Sequence, residues 1–422
     1  MNTQIDWLMA LQRFGMKPGL ARMHELLARL GSPHGDCNLV LVGGTNGKGS
    51  TATFLAGMLT AAGQRTGLFT SPHLTNVMER FVIDGQQLPA SELEQAIRQV
   101  RPHAEETGAT FFEVMVACAW LMFRAHGCDT VILEVGLGGQ FDATNAADPC
   151  LSIITNVELD HTDVLGTTRR VIAADKAHLM RPGRPVLTAA TGEALTTLEE
   201  HAAGIGAELL RLGHEFSVRV GDSQWSGSNL QVVSGGFDMQ VSVPLPGLHQ
   251  AFNAALAVVA ARRLGAGGES IRTGLAASEW PGRLERLQYG GRNWLLDGAH
   301  NPAGARSLRE AVGKLGARPG VLILGLTDGK DAAGIIRELE QLAPDIIVTK
   351  AELSPRAVEP AALLEMLPPL AQPAATPSEA VSRALSITKP AELVVVAGSL
   401  YLLGEIRPLL TGQRREDYAR WQ

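Results

Sequence analysis

Residues Gly43-Gly44-Thr45-Asn46-Gly47-Lys48-Gly49-Ser50 place four glycines, a lysine and two hydroxyls in eight positions, between an apolar run and a helical stretch. Glycines let successive backbone N–H groups turn toward one anion, and the start of a helix adds partial positive charge. Lys48 can reach outer phosphates and Ser50 can face a divalent cation. The spacing departs from GxxxxGK[ST], because position 42 is Val and Gly49 separates Lys48 from Ser50. The plain alternative is an ordinary glycine-rich turn; the lysine and the strand–loop–helix setting favour a phosphate site. Glu134 ends another apolar run and is followed by Gly136, Gly138 and Gly139. A carboxylate at the carboxyl end of a buried strand suits a hard cation such as Mg²⁺. By residue type alone, His161 reads as a hydrogen-bonding or surface group, Lys176 as a solvated lysine and Arg283 as a turn arginine.

These groups need a rigid frame. Asn38–Val42, Arg65–Phe69, Thr130–Val135 and Leu151–Thr155 are continuous apolar runs separated by helical stretches at 49–62 and 111–126. That pattern predicts a parallel sheet covered on both faces. Residues 217–244 alternate polar and apolar, which predicts a small antiparallel insert, and 249–264 reads as a helix. A second series follows, with strands at 294–296, 321–324, 346–348 and 393–396 and helices after Pro302, Ala332, Ala361 and Ser378. Gly290-Gly291 breaks the pattern, so the expected division is 1–290 and 291–422.

The chain has 422 residues, 46 of them glycine, and its 37 basic and 43 acidic residues leave a formal charge of −6. That balance disfavours an extended nucleic-acid surface. Four scattered cysteines make zinc improbable and fit a reducing compartment. No apolar run is long enough to span a membrane and the first residues lack a secretory pattern. A cytoplasmic α/β protein is expected.

The segments GTNGKGS (44–50), TSPHL (70–74), FFE (111–113), EVGLGG (134–139), DATN (142–145), LDHTDVLG (159–166), DKA (175–177), PGR (281–283), DGAHNP (297–302) and GSLYLLGE (398–405) stand in the order of one family. In these the chain resembles the folylpolyglutamate synthase/dihydrofolate synthases of the Mur-ligase superfamily. The resemblance implies an N-terminal P-loop ATPase domain of Mur-ligase type with a small antiparallel insert, and a smaller C-terminal Rossmann-like domain. It implies a ligase of folate biosynthesis and one-carbon metabolism, adding L-glutamate to dihydropteroate or folates through an acyl phosphate, with ATP and Mg²⁺. ATP would be held by Thr45, Asn46, Gly47, Lys48, Gly49, Ser50, Asn253, Arg283 and Asp297. Metal would be held by Ser50, Ser71, Glu134, His161 and a carbamylated Lys176. Lys48, His161, Lys176 and His300 would carry the catalytic roles. Gly19, Leu20, Phe112, Glu113 and Asp142 would face the pteroyl substrate, although Phe111 and Phe112 read equally as core. The family is usually monomeric, and ATP ligands from both halves imply that closure completes the site.

Three positions depart from the family pattern. Ala21 stands for a glutamate, Gln140 for an arginine and His178 for a glycine. The first two bear on which pteroyl substrate is used, and the third on the modification of Lys176. Two other readings remain: a cell-wall precursor ligase, which TSPHL, FFE and DGAHNP disfavour, and a nucleotide-binding regulatory protein without ligase activity, which Lys48, Glu134, His161 and Lys176 disfavour.

Overall fold

A computed structural model describes residues 3–15, 17–35 and 37–414. Its larger sheet has eight strands: β1 (Asn38–Gly43), β2 (Thr66–Phe69), β3 (Phe81–Ile83), β4 (Gln86–Gln87), β5 (Thr130–Glu134), β6 (Leu151–Ile154), β7 (Pro185–Thr188) and β8 (Glu208–Arg211). Their order is β4-β3-β2-β5-β1-β6-β7-β8. Neighbouring strands are parallel except at the β2–β3 and β3–β4 pairings, which are antiparallel. The inner strands are buried along almost their whole length. This explains why they read as unbroken apolar runs: both faces are covered.

One face packs helices Ala90–Thr107 and Phe111–Ala125, with Trp120 and Phe123 in the core. The other packs helices Lys48–Ala61 and Leu248–Arg263 with the antiparallel sheet β9 (Phe216–Gln224), β10 (Gly227–Ser234) and β11 (Phe237–Val243). Small residues matter here. A Cβ on Gly274 would lie 2.3 Å from the Gly57 carbonyl oxygen, so helix Gly268–Ala276 meets helix Lys48–Ala61 backbone to backbone.

The smaller sheet contains β12 (Glu285–Tyr289), β13 (Arg292–Leu296), β14 (Val321–Leu324), β15 (Asp345–Val348), β16 (Gln372–Pro373) and β17 (Leu393–Ala397), in the order β12-β13-β17-β14-β15-β16. Here the structure corrects one expectation. Gly290-Gly291 does not join two units; both residues have positive φ and turn the β12–β13 hairpin. Two adjacent left-handed positions are what a tight hairpin needs, and glycine takes them without strain. The second sheet therefore begins at Glu285. Among the described residues, no helix is long and apolar enough to cross a membrane.

Candidate active site

In the larger sheet β1 lies between β5 and β6, while the chain leaving β1 runs through a helix to β2 on the far side of β5. The loops after these strands diverge and leave a crevice at their carboxyl ends. Four candidate segments open there: Gly43–Gly47 after β1, Ser71 after β2, Glu134 closing β5, and Asp160-His161 after β6.

The candidate phosphate loop is held by its own hydrogen bonds. Thr45 N–H donates to the Asn156 carbonyl at 2.9 Å, and Asn46 N–H to the Asn156 side chain at 2.9 Å. Gly47 has φ +84, and a Cβ there would sit 2.2 Å from Asn253 Oδ1, so Asn253 presses directly on the loop. Lys48 opens the helix and its Nζ donates to the Thr45 carbonyl at 3.1 Å. Burial pushes the Lys48 ammonium below its ordinary range, while Glu134 and Asp160 work against that. Ser50 is buried on the same helix, and Trp280, which the sequence did not single out, packs against Gly49.

Glu134 is 5% exposed, and its Oε2 accepts the Ser71 N–H at 2.9 Å. No ion pair to it occurs among the described residues. Burial pushes its carboxyl upward, against Lys48 and the Ser71 hydrogen bond. A buried carboxylate beside hydroxyl residues, held in no direct ion pair, is a donor set that fits a hard divalent cation.

Lys176 is 3% exposed, and its Nζ lies 3.5 Å from the Gly138 carbonyl. Burial, then Lys48, lowers its ammonium to about 7. The departure at His178 is turned outward: its Nδ1 lies 3.0 Å from the Ala174 carbonyl, and its ring faces His201. Because the folded state disfavours the Lys176 charge, its penalty is full below about pH 7 and fades as pH rises toward the unfolded value near 10.5. In CO₂-free buffer Lys176→Met is therefore expected to be more stable than the parent at pH 7, by a margin that narrows at pH 9. Denaturant unfolding of both proteins at both pH values checks this, and parallel curves would refute it.

The second sheet supplies the opposite wall. Asp297 accepts N–H groups from Leu284 and Ala299, both at 2.9 Å, which pins the turn carrying Arg283. Arg283 Nη1 would meet a Cβ on Gly298 at 2.7 Å, so the guanidinium lies against DGAHNP. Asn301 caps helix Pro302–Lys314 and also exchanges hydrogen bonds with the Asn46 side chain at 2.9 and 3.2 Å. Three groups from this half converge on Asp160: Asn301 Nδ2 at 3.0 Å, His300 Nε2 at 3.5 Å and Lys330 Nζ at 2.5 Å. Burial opposes ionisation of Asp160, but His300, Lys330 and His161 hold its carboxyl far below the usual range. Enclosure and then Lys330 lower the His161 imidazole to about 4, although one edge of the ring is open to solvent.

The substrate candidates form a neighbouring group. Gly136, two residues beyond Glu134, touches both Phe112 and Asp142: a Cβ would lie 2.7 Å from the Phe112 ring and 3.1 Å from Asp142 Oδ2. Phe112 also stands 5.9 Å from the Phe69 ring, whereas Phe111 is buried in the core beneath Arg80. Asp142 accepts from Leu137 N–H, Thr144 N–H and the Thr144 hydroxyl. Glu113 caps its own helix and pairs with Arg22 at 3.2 Å, tying down the segment that holds Gly19 and Leu20. Both carboxylates are thus committed to shaping loops.

The Mur ligase middle domain matches residues 42–261, and the Mur ligase glutamate ligase domain matches 282–400. A Bacillus subtilis dihydrofolate synthase/folylpolyglutamate synthase is 35% identical, over 96% of this chain and 98% of its own. A probable bifunctional folylpolyglutamate synthase/dihydropteroate synthase of Haloferax volcanii is 36% identical over 96% of this chain. The chain spans about half the length of that relative and of a similar one from Halobacterium salinarum. Among solved structures, Escherichia coli FolC in complex with DHPP and ADP superposes with TM-score 0.90 and 31% identity, covering 97% of this chain and 98% of its own. A Yersinia pestis bifunctional folylpolyglutamate synthase/dihydrofolate synthase complexed with AMPPNP and Mn gives 0.86 at 31%, with 97% and 98% covered.

Proposed function

The chain belongs to the dihydrofolate synthase/folylpolyglutamate synthase family of Mur ligases, and we propose that it joins L-glutamate to dihydropteroate and to folates at the expense of ATP. The observation that carries this reading is the pairing of the phosphate loop with DGAHNP through Asn46 and Asn301, which closes one crevice between the two sheets.

A carboxylate is a poor electrophile. Transfer of the ATP γ-phosphoryl group to the pteroyl carboxylate gives an acyl phosphate, releasing ADP. The glutamate amine, after losing a proton, attacks the acyl carbon, and phosphate leaves with the C–O bond. Catalysis of such steps is mostly positioning and charge cancellation. The backbone N–H groups of residues 45–49 and the Lys48 ammonium would hold the phosphates. Asn253 and Arg283 would also contact the ATP, with Asp297 fixing the Arg283 turn. Ser50, Ser71, Glu134 and His161 would hold Mg²⁺, joined by Lys176 once its amine carries CO₂. Bound there, Mg²⁺ would neutralise charge on the transferring phosphoryl group. His300, oriented through its Nδ1 contact with the Gly298 carbonyl, would face the transferring group from the second sheet. Gly19, Leu20, Phe112 and the loops set by Glu113 and Asp142 would hold the pteroyl ring. The ATP unit would run to about residue 284 and the closing unit from there. The reading includes a monomer working in the cytoplasm.

Phosphate release with Mg²⁺–ATP separates the alternatives. Turnover is expected with dihydropteroate plus glutamate and with tetrahydrofolate plus glutamate, and not with UDP-linked muropeptides. Turnover with the second alone would leave folylpolyglutamate synthesis only. Turnover with the muropeptides alone, or none with any of the three, would overturn the proposal.

A further inference from the structure

Lys330 lies in the loop that follows β14, far in sequence from the larger sheet, yet its ammonium is seated on that sheet's residues. Nζ is 2.5 Å from Asp160 Oδ1 and 3.1 Å from His161 Nε2, and the side chain is only 13% exposed. An ammonium has donors and no acceptor, so Nε2 must be accepting and the ring proton must sit on Nδ1. His161 itself has a left-handed backbone, φ 49, held by its N–H bond to Asp160 Oδ1 at 2.8 Å. The ring is therefore aimed by the same carboxylate that holds Lys330.

A neutral imidazole nitrogen has one lone pair. His161 Nε2 gives it either to a metal ion or to the Lys330 N–H, and not to both. Asp160 can keep its other partners, Asn301 and His300, whichever of the two is present. We infer that Lys330 is a tethered cation that latches the two sheets together by occupying His161, and that metal must displace it to use that histidine. The inference rests on the Mg²⁺–ATP ligase reading above. Lys330 is on this account a positioning residue: it couples the approach of the second sheet to the state of the metal site, and metal loading frees its ammonium inside the crevice. The arrangement also keeps a divalent cation from settling on His161 while the nucleotide is absent.

Mn²⁺ titration of the full chain without nucleotide, followed by electron paramagnetic resonance, tests this. Lys330→Met is expected to bind Mn²⁺ about tenfold more tightly than the parent, the scale on which groups behind a metal ligand change affinity. Lys330→Arg, which keeps a cation there, is expected to stay within about threefold of the parent. His161→Ala should lose the gain, so that Lys330→Met/His161→Ala matches His161→Ala alone. Unchanged or weaker Mn²⁺ binding in Lys330→Met would overturn the latch, as would a gain that survives in the double variant. If Lys330→Met unfolds, the Arg variant still decides, since a tenfold gain there would contradict the role of the charge. None of these readouts uses ligase turnover, so failure of the latch and failure of the folate reading are separable.

Discussion

Lys48→Ala is expected to reduce turnover by about a thousandfold or more, the scale set by removing a preorganised group from a developing charge. Its fold should survive. Among the described residues the lysine's one side-chain hydrogen bond is to the Thr45 carbonyl, at 3.1 Å, and the loop is held independently by Asn156. Burial already disfavours the Lys48 charge, so deleting it removes an electrostatic cost from the empty protein. The loss should therefore appear in kcat and not in unfolding. Steady-state phosphate release with saturating folate and glutamate, alongside thermal unfolding, checks both halves. Turnover within tenfold of the parent would take the phosphate loop out of the mechanism.

The contrast between Lys48 and Lys330 shows what a sequence can and cannot reveal about such a site. Lys48 is legible as a candidate because everything that points to it is contiguous: the strand before it, the glycines around it and the helix after it. Glu134 is legible for a similar reason, since a charged residue closing an apolar strand has few structural uses. Lys330 sits in a turn of the kind that commonly carries an exposed lysine, in Leu326–Asp331. Its partners Asp160 and His161 are about 170 positions away. Only the meeting of two sheets makes it a candidate. Asp160 lies inside LDHTDVLG, where the histidine beside it is the more obvious ligand type. Nothing local says that this carboxylate will collect three partners from the other half.

Glycine is ambiguous in a related way. Gly47 and Gly290 both break an apolar pattern and both take positive φ. One lies against Asn253 in the phosphate loop, and the other turns a hairpin, so the punctuation is the same and the meaning is set by what packs on it. The inner strands β1, β2, β5 and β6, by contrast, are readable to within a residue or so, whereas β3, β4, β7, β8, β12 and β16 are not expected from the sequence. Burial on both faces leaves continuous apolar runs that few other arrangements produce.

Glu134→Gln should separate stability from function. The amide keeps the shape of the carboxylate and an oxygen to accept the Ser71 N–H, so the local structure has no reason to move. What disappears is a negative charge that the fold encloses without an ion-pair partner among the described residues. Burial raises the Glu134 pKa above its ordinary value of 4.5. For a carboxyl so raised, the charged form costs stability above the folded pKa, and the cost vanishes at pH values low enough to protonate it in both states. In metal-free buffer at pH 7 the variant is thus expected to unfold at a higher temperature than the parent, with the two converging near pH 4. Activity should move the other way, falling by about a hundredfold or more, because a neutral amide is a much weaker partner for a hard cation. Added Mg²⁺ should raise the unfolding temperature of the parent and leave the variant nearly unchanged. A variant that is both less stable and still active would mean that Glu134 holds the strand end together and does not serve the reaction. The combination of a firmer empty protein and a lost metal response is what a buried charge kept for function predicts, since a purely structural carboxylate has no reason to remain unpaired there.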